Sequence, residues 1–227
     1  MIGIIIALPS EAKSLLNSIG EIKEIKLLDK TAYECSICNH KAVIAISGIG
    51  KVNASLATQA VIDRYSPKFI LNFGTCGGVN DSVQALNYYV IDKCCQYDFD
   101  LSELDDVPVG YIQDYDTVFF NGLTEGINLK KRSLASADKF TCHSKDVDTI
   151  NSMGCSLCDM EGGAIGQVCT SNSIPLVIVK GITDIFNSGA SNEQFYSNLQ
   201  QVSEGFPSVI RDVINSVIKL LQTNKEL

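Results

Sequence analysis

The sequence predicts an α/β fold in which helices cover a largely buried β-sheet. Along the 227 residues, short apolar runs of strand length alternate with segments of helical periodicity, the order typical of layered α/β proteins. The first run, Gly3–Leu8, is continuously apolar, as expected for a strand covered on both faces. No composition break or internal repeat divides the chain, so we expect a single domain over residues 1–227.

The first elements are a strand, a helix and three strands. After Gly3–Leu8, Ser10 is a candidate N-cap for a helix with apolar residues at helical spacing that ends before Gly20. Turns at Asp29-Lys30 and Asn39-His40 then separate hairpin-linked strands. The predicted strands are Ile22–Leu28, Ala32–Cys38 and Ala42–Ser47.

Helices and strands alternate again from residue 48. Gly48–Lys51 opens a helix with a stripe of alanines, which ends at Ser66-Pro67. The apolar run Phe69–Phe73 predicts a buried strand that leads into a tight glycine turn at Gly74–Gly78, and Tyr88–Asp92 predicts another strand.

The second half of the chain is less regular. Residues 96–145 show no clear periodicity, and no element is predicted there. A helix is expected to begin within Asp159–Ile165, and the strand Ile174–Lys180 to end at Gly181–Asp184. A long amphipathic helix through Val209, Val213 and Val217 closes the chain.

Composition excludes several classes of protein. The formal net charge of −8 offers no electrostatic footprint for nucleic acid or an anionic membrane. No apolar run is long enough to cross a bilayer. The N-terminal run lacks the basic region and cleavage site of a signal peptide, so we expect a buried strand and a cytoplasmic protein.

Neither cysteine nor histidine patterns predict metal or triad chemistry. Two CxxC pairs stand among nine cysteines, Cys35/Cys38 and Cys155/Cys158, but more than a hundred residues separate them, so reduced thiols are the favoured interpretation. The chain has only two histidines and no GxSxG elbow. Gly48–Lys51 matches neither a Walker loop nor a full dinucleotide fingerprint, so no nucleotide cofactor is predicted.

Three candidate functional segments follow predicted strands. They are Glu11, the cluster Gly74–Gly78 and Asp184. Ligands of open α/β sheets bind at the carboxyl ends of strands, so these groups share a cleft if their strands are parallel neighbours. Each acid alone, like Glu161, also fits a structural role in a helix turn or cap. The residues by themselves therefore predict only a cleft with several carboxylates and few cations.

Five segments taken in order resemble the bacterial 5′-methylthioadenosine/S-adenosylhomocysteine nucleosidases, which belong to the purine nucleoside phosphorylase and uridine phosphorylase superfamily. The matching segments are Ile2–Ala7 with Glu11, Ser47–Val52, Asn72–Gly78, Asp159–Glu161 and Lys180–Asp184. The resemblance implies a three-layer αβα sandwich around a large mixed β-sheet, with a nucleoside substrate and neither cofactor nor metal. It also implies a homodimer in which a partner loop helps to close the 5′ pocket.

The resemblance implies two proton-handling residues. Glu11 would be the general base that activates water, and Asp184 would protonate N7 of the departing adenine. Protonation by a positioned acid contributes ~10²–10⁴-fold, so Asp184 must hold a proton near neutral pH. The carboxylates would also stabilise the oxocarbenium-like sugar.

The resemblance also implies a set of substrate-binding residues. Glu161 would bind the ribose hydroxyls, and Phe140 would stack on adenine. The remaining residues would border the sugar or the base: Thr75, Gly77, Thr141 and Met160.

The sequence favours water over phosphate as the nucleophile. Phosphorylases bind phosphate with cations, typically arginines. The three arginines here, Arg64, Arg132 and Arg211, follow no predicted strand end, and Arg132 is expected in a surface-like basic turn. Glu11 stands where a carboxylate would repel phosphate.

The predicted function is hydrolysis of the N-glycosidic bond of 5′-methylthioadenosine and S-adenosylhomocysteine, releasing adenine and a thioribose product. The loop 186–196, which together with residues 101–112 shapes the family's 5′ pocket, matches poorly, so aminofutalosine or 5′-deoxyadenosine stays open as substrate. Further alternatives are a phosphate-dependent purine nucleoside phosphorylase and a non-catalytic nucleoside-binding protein.

Overall fold

The architecture is a mixed sheet with helices on both faces, seen in a computed structural model that describes residues 1–141, 143–186 and 191–223. The strands are β1 Ile2–Ile6, β2 Ile22–Leu27, β3 Lys30–Ile37, β4 His40–Ile46, β5 Ile70–Gly78, β6 Tyr88–Gln96, β7 Phe120–Asn121, β8 Lys130–Ser136, β9 Leu157–Asp159 and β10 Leu176–Ile185. The helices are α1 Pro9–Asn17, α2 Lys51–Tyr65, α3 Ser144–Ser152, α4 Gly162–Ser171 and α5 Ser191–Thr223. No helix within the described ranges has the length and apolarity needed to cross a bilayer.

The strand order is β10-β6-β8-β9-β5-β1-β4-β3-β2, and β10 also pairs with β5. That extra pairing closes β5, β10, β6, β8 and β9 into a ring, while β1 to β4 extend from it as an open sheet. Strands β1, β5 and β10 are parallel neighbours, so their carboxyl ends lie together. This arrangement places the segments after β1, along β5 and along β10 around one cleft.

Two apolar layers separate the sheet from its helices. One contains Ala54 and Val61 of α2 with Ile165 of α4. The other contains Leu15 of α1 and Phe206 of α5. Helices therefore cover both faces of the sheet, and the expected three-layer αβα arrangement is confirmed.

The glycine cluster and Asp184 lie inside strands, which corrects two predicted strand ends. Strand β5 continues through Gly74–Gly78, and β10 continues through Asp184 with a register shift between Ile182 and Asp184. The predicted tight turn at the glycines was therefore wrong. The two parallel strands pair from Ile70 to Gly78, and this ladder keeps a glycine-rich segment extended.

The polar region without a predicted element contains strand β8, which corrects the interpretation of Arg132. This residue lies in β8 rather than in a surface turn, and its guanidinium stacks 5.3 Å from the ring centre of Tyr89. The first three residues of β8 are charged and the last four are buried, and the charges at its start hid the strand in the sequence.

Candidate active site

A cavity of ≈ 850 Å³ opens at the carboxyl ends of β1, β5 and β10. Its volume lies within the range of small-molecule sites. All eight residues proposed from the sequence line it: Glu11, Thr75, Gly77, Phe140, Thr141, Met160, Glu161 and Asp184. A more open groove of ≈ 960 Å³ lies alongside and shares Ala7, Leu8, Ser10 and Ile49 with the cavity, but none of the carboxylates just named.

Glu11 is fixed between helix α1 and strand β5. Its side chain is 3% exposed. One carboxylate oxygen accepts hydrogen bonds from the backbone nitrogen of Thr75 at 2.6 Å and from its hydroxyl at 2.7 Å, and the other accepts from the nitrogen of Leu8 at 3.1 Å. A Cβ on Gly74 would lie 3.0 Å from the oxygen that Thr75 binds, so the absence of a side chain at Gly74 makes room for this carboxylate. Three donors thus orient a buried carboxylate toward the cavity.

Asp184 is a buried carboxyl group near the end of β10. Burial raises its pKa to about 6, and the hydrogen bond that the Thr183 hydroxyl donates at 2.8 Å partly opposes this rise. The second oxygen faces Gly77, whose missing Cβ would stand only 3.3 Å away. Asp184 can therefore hold a proton near neutral pH and present it to a ligand beside β5.

Glu161 is the N-cap residue of helix α4 and contacts the start of α2. Its carboxylate accepts a hydrogen bond of 2.9 Å from the nitrogen of Gly50, which has a φ of 97° that favours glycine. Burial and the nearby Asp159 carboxylate raise the pKa of Glu161 to about 7, while Lys180 and the Gly50 hydrogen bond act in the opposite direction. The glycine segment before α2 therefore serves a carboxylate of the site.

Beneath the cavity lies a buried network that sequence reasoning did not assign to the site. The Lys180 ammonium pairs with Asp159 at 2.8 Å, and the two side chains are 2% and 1% exposed. Asp159 also accepts a hydrogen bond from the hydroxyl of Ser136, and from the nitrogen of Gly162 at 2.9 Å. A lysine at the end of the apolar run Leu176–Val179 was the signal that could have revealed this network, because buried charges are paired.

The opposite wall of the cavity is aromatic and partly open. Phe140 is 42% exposed and contacts the ring of Phe195 edge to face at 6.2 Å. The hydroxyl of Tyr97, a second residue missed from the sequence, lies 2.7 Å from that of Thr141 and holds this segment in place. A flat ligand can stack on Phe140 from the cavity side.

Few cationic side chains line the cavity in the part of the chain that the structure describes. Within the described residues the lining contains no arginine, and its lysine, Lys139, pairs with Asp146 at 2.6 Å. Arg64, Arg132 and Arg211 instead bind the carbonyl oxygens of other segments: Lys26, Ser82 and Ser18. The site is therefore a cavity of carboxylates, glycines and apolar groups.

The two CxxC pairs lie in different parts of the sheet. Cys35 is in β3 and Cys158 is in β9, with β4, β1 and β5 between these strands. The described cysteines are free thiols, and Cys142 lies outside the described residues. Cys158 lines the cavity and donates a weak hydrogen bond to the Gly77 carbonyl at 3.6 Å.

Comparison with known proteins assigns the chain to a family. A family model described as the Phosphorylase superfamily matches residues 1–215. A 5′-methylthioadenosine/S-adenosylhomocysteine nucleosidase of Staphylococcus carnosus is 27% identical over 96% of this chain and 100% of the relative. An aminodeoxyfutalosine nucleosidase of Campylobacter jejuni is 26% identical over 90% of this chain and 95% of the relative. The solved structure of a futalosine hydrolase from Helicobacter pylori has a TM-score of 0.87 at 24% identity, over 94% of this chain and 97% of that one. The chain belongs to the phosphorylase superfamily.

Proposed function

We propose that this protein hydrolyses the N-glycosidic bond of 5′-methylthioadenosine and S-adenosylhomocysteine. One observation carries the proposal: two carboxyl groups suited to opposite proton-transfer roles, Glu11 and Asp184, line the same cavity, whose described lining contains no arginine. The match to the S. carnosus nucleosidase over nearly the whole chain supports the same conclusion.

The proposed reaction gives the two carboxyl groups separate roles. Water attacks the anomeric carbon while Glu11 accepts a proton from that water molecule. Asp184 donates a proton to N7 of the purine. The bond between the sugar and N9 breaks, adenine leaves as a neutral base, and the sugar keeps the new hydroxyl. Glu161 accepts hydrogen bonds from the ribose hydroxyls, and the ionised carboxylates stabilise positive charge on the sugar.

Water is the favoured nucleophile because the described lining of the cavity has no arginine, and its one lysine, Lys139, is paired with Asp146. Phosphate binding requires paired positive charge, which arginines typically supply. The chain's three arginines bind backbone carbonyls elsewhere. Phosphate would also have to approach Glu11, which repels it.

The direct test is adenine release from 5′-methylthioadenosine in phosphate-free buffer. We expect turnover that added phosphate does not accelerate, and a loss of at least about 10²-fold in Glu11→Gln and Asp184→Asn. Lys23→Met, in an exposed ion pair of strand β2, is the control and should keep full activity. Turnover that depends on phosphate would identify a phosphorylase, and adenine binding without turnover would identify a binding protein.

Aminodeoxyfutalosine is a second candidate substrate. The C. jejuni relative of that name matches 90% of this chain, nearly as much as the S. carnosus relative. The rim of the cavity includes the exposed ring of Tyr196, in the segment that departs from the family pattern. The values of kcat/KM for 5′-methylthioadenosine, S-adenosylhomocysteine and aminodeoxyfutalosine, measured on one protein preparation, decide between these substrates.

A homodimer is the proposed assembly. The start of α2 exposes the apolar side chains of Ile49, Val52 and Leu56, with Val52 70% exposed, beside the groove that adjoins the cavity. Burying such a patch against a second copy removes apolar surface from water. Val52→Glu should halve the mass measured by light scattering and raise KM, and an unchanged mass would contradict this interface.

The cytoplasm is the proposed compartment. Cys95 and Cys155 are free thiols whose Sγ atoms lie 3.9 Å apart. In an oxidising compartment, thiols this close tend to form a disulfide, so the free pair fits a reducing compartment. Fractionation of the native cells, with thiol counting on the extracted protein, tests this location.

A further inference from the structure

The buried charges of the site are unbalanced. Among the described residues, four buried carboxyl groups face one buried cation. The cation is Lys180, and the carboxyl groups are Glu11, Asp159, Glu161 and Asp184. All four carboxyl groups line the cavity, whereas Lys180 lies behind its wall. A single buried cation therefore influences which of these groups can be ionised.

Lys180 reaches the sugar end of the cavity through Asp159. The ammonium pairs with this carboxylate at 2.8 Å. Asp159 in turn caps the start of α4 through the nitrogen of Gly162, the residue that follows Glu161. The pair thus fixes both the position and the electrostatic surroundings of Glu161.

We propose that Lys180 is a positioning residue that, through its ion pair with Asp159, favours the ionised form of Glu161 that binds the ribose hydroxyls. The inference rests on the proposed nucleoside hydrolysis. A carboxylate that accepts two hydroxyl hydrogen bonds must be ionised, whereas a carboxyl that donates to a purine must not be. A cation paired with Asp159, two residues before Glu161, favours the first requirement.

The neighbours of Lys180 agree with this role. Lys180 lowers the pKa of Glu161 against the effects of burial and of Asp159, whereas the pKa of Asp184 is set by burial and Thr183. Three other titratable groups interact with Lys180 or Glu161: Asp159 of β9, Cys76 of β5 and Glu11 of α1.

The test compares pH profiles of kcat/KM in variants that change the charge near Glu161 in opposite directions. Lys180→Met removes the cation and raises the pKa of Glu161, so the falling limb of the profile should move up by about one pH unit, with about tenfold lower kcat/KM at and below the wild-type optimum. Asp159→Asn removes an anion and should move the same limb to lower pH. Lys23→Met, the exposed lysine control, should leave the profile unchanged.

A substrate that lacks the 3′-hydroxyl gives a second readout. The effect of Lys180→Met should shrink to about threefold or less on this analogue, because the interaction that Lys180 supports is already missing. A purely structural role would lower activity equally at every pH and on both substrates, and that result would overturn the inference. Circular dichroism establishes that each variant is folded, and Asp159→Asn decides the question alone if Lys180→Met does not fold.

Carboxyl titration separates this inference from the proposed function. NMR of protein labelled with carbon-13 at the glutamate carboxyls follows Glu161 without substrate, assigned with Glu161→Gln. An upward shift of its titration in Lys180→Met supports the inference even if the wild-type protein releases no adenine. An unchanged titration contradicts it even if the protein is an active nucleosidase.

Discussion

Thr75 donates two hydrogen bonds to one carboxylate oxygen of Glu11, from its backbone nitrogen at 2.6 Å and from its hydroxyl at 2.7 Å. The donors lie on strand β5 and the acceptor on helix α1, so the proposed base is aligned by a neighbouring strand. A water molecule that approaches Glu11 meets a carboxylate whose direction is already set.

Thr75→Val should lower kcat about tenfold to a hundredfold. The substitution removes the hydroxyl donor and keeps the backbone donor, and a hydrogen bond to a charged group contributes about 1.5–3 kcal/mol. Steady-state kinetics checks this, with Thr75→Ser as the control that retains the hydroxyl and most of the activity. Equal activity in the valine and serine variants would contradict the role given to the hydroxyl.

Gly77→Ala should lower kcat about tenfold or more. The new Cβ would lie 3.1 Å from Sγ of Cys158 and 3.3 Å from a carboxyl oxygen of Asp184, so the acid must shift. Gly20→Ala meets no atom within 4 Å and is the matched control. In an Asp184→Asn background, Gly77→Ala should cause little further loss, and a full additional loss would mean that it acts elsewhere.

The pH profile of kcat/KM should be bell-shaped, with its maximum between about 6 and about 7. Asp184, whose pKa burial raises to about 6, must be protonated, and Glu161, whose pKa burial raises to about 7, must be ionised. Only a minority of molecules then have Asp184 protonated and Glu161 ionised at the same time. The apparent pKa values of the two limbs therefore describe the pair of groups and not either residue alone. A profile that stays flat to pH 9 would contradict the role of Asp184 as the acid.

Asp184→Asn should stabilise the protein at pH 8 by about 1–3 kcal/mol. The folded pKa of Asp184, about 6, lies above that of an unfolded aspartate, so the wild-type free energy of unfolding falls as pH rises through about 6. The gain in the variant should therefore shrink at pH 5, where the native carboxyl is mostly protonated. Urea unfolding at both pH values checks this, with exposed Asp148→Asn as the control. A gain that is larger at pH 5 would contradict the raised pKa.

The sequence predicts much of the fold because the central strands are continuous apolar runs. The run at β1 and the helix after it follow the expected order, with ends displaced by only a few residues. Strand β8 is hidden because Lys130 and Lys131 begin it in solvent, and only its second half is buried. Closure of β10 onto β5 depends on contacts between residues a hundred positions apart, which no local pattern encodes.

The sequence predicts the residues that line the candidate site but not the residues behind its wall. A resemblance in short motifs points to residues that touch the cavity, such as Glu11 and Phe140. The groups behind the wall, Ser136 and Lys180, touch other protein atoms, and the lysine within its apolar run is the one local hint of them. Their role follows from burial and pairing, which only the three-dimensional structure displays.

The ring of five strands has a consequence for how this protein fluctuates. Strands β5 and β10, which carry Thr75 and Asp184, each have hydrogen-bonded neighbours on both sides, so neither can peel away from a sheet edge. Opening the floor of the cavity requires breaking the ring, and its amide protons should exchange with solvent only when the whole molecule unfolds. The rim around Phe140 and Tyr196 can vary in sequence and motion while the floor stays fixed. A new nucleoside can then be accommodated by changes at the rim, without rebuilding the groups that move protons.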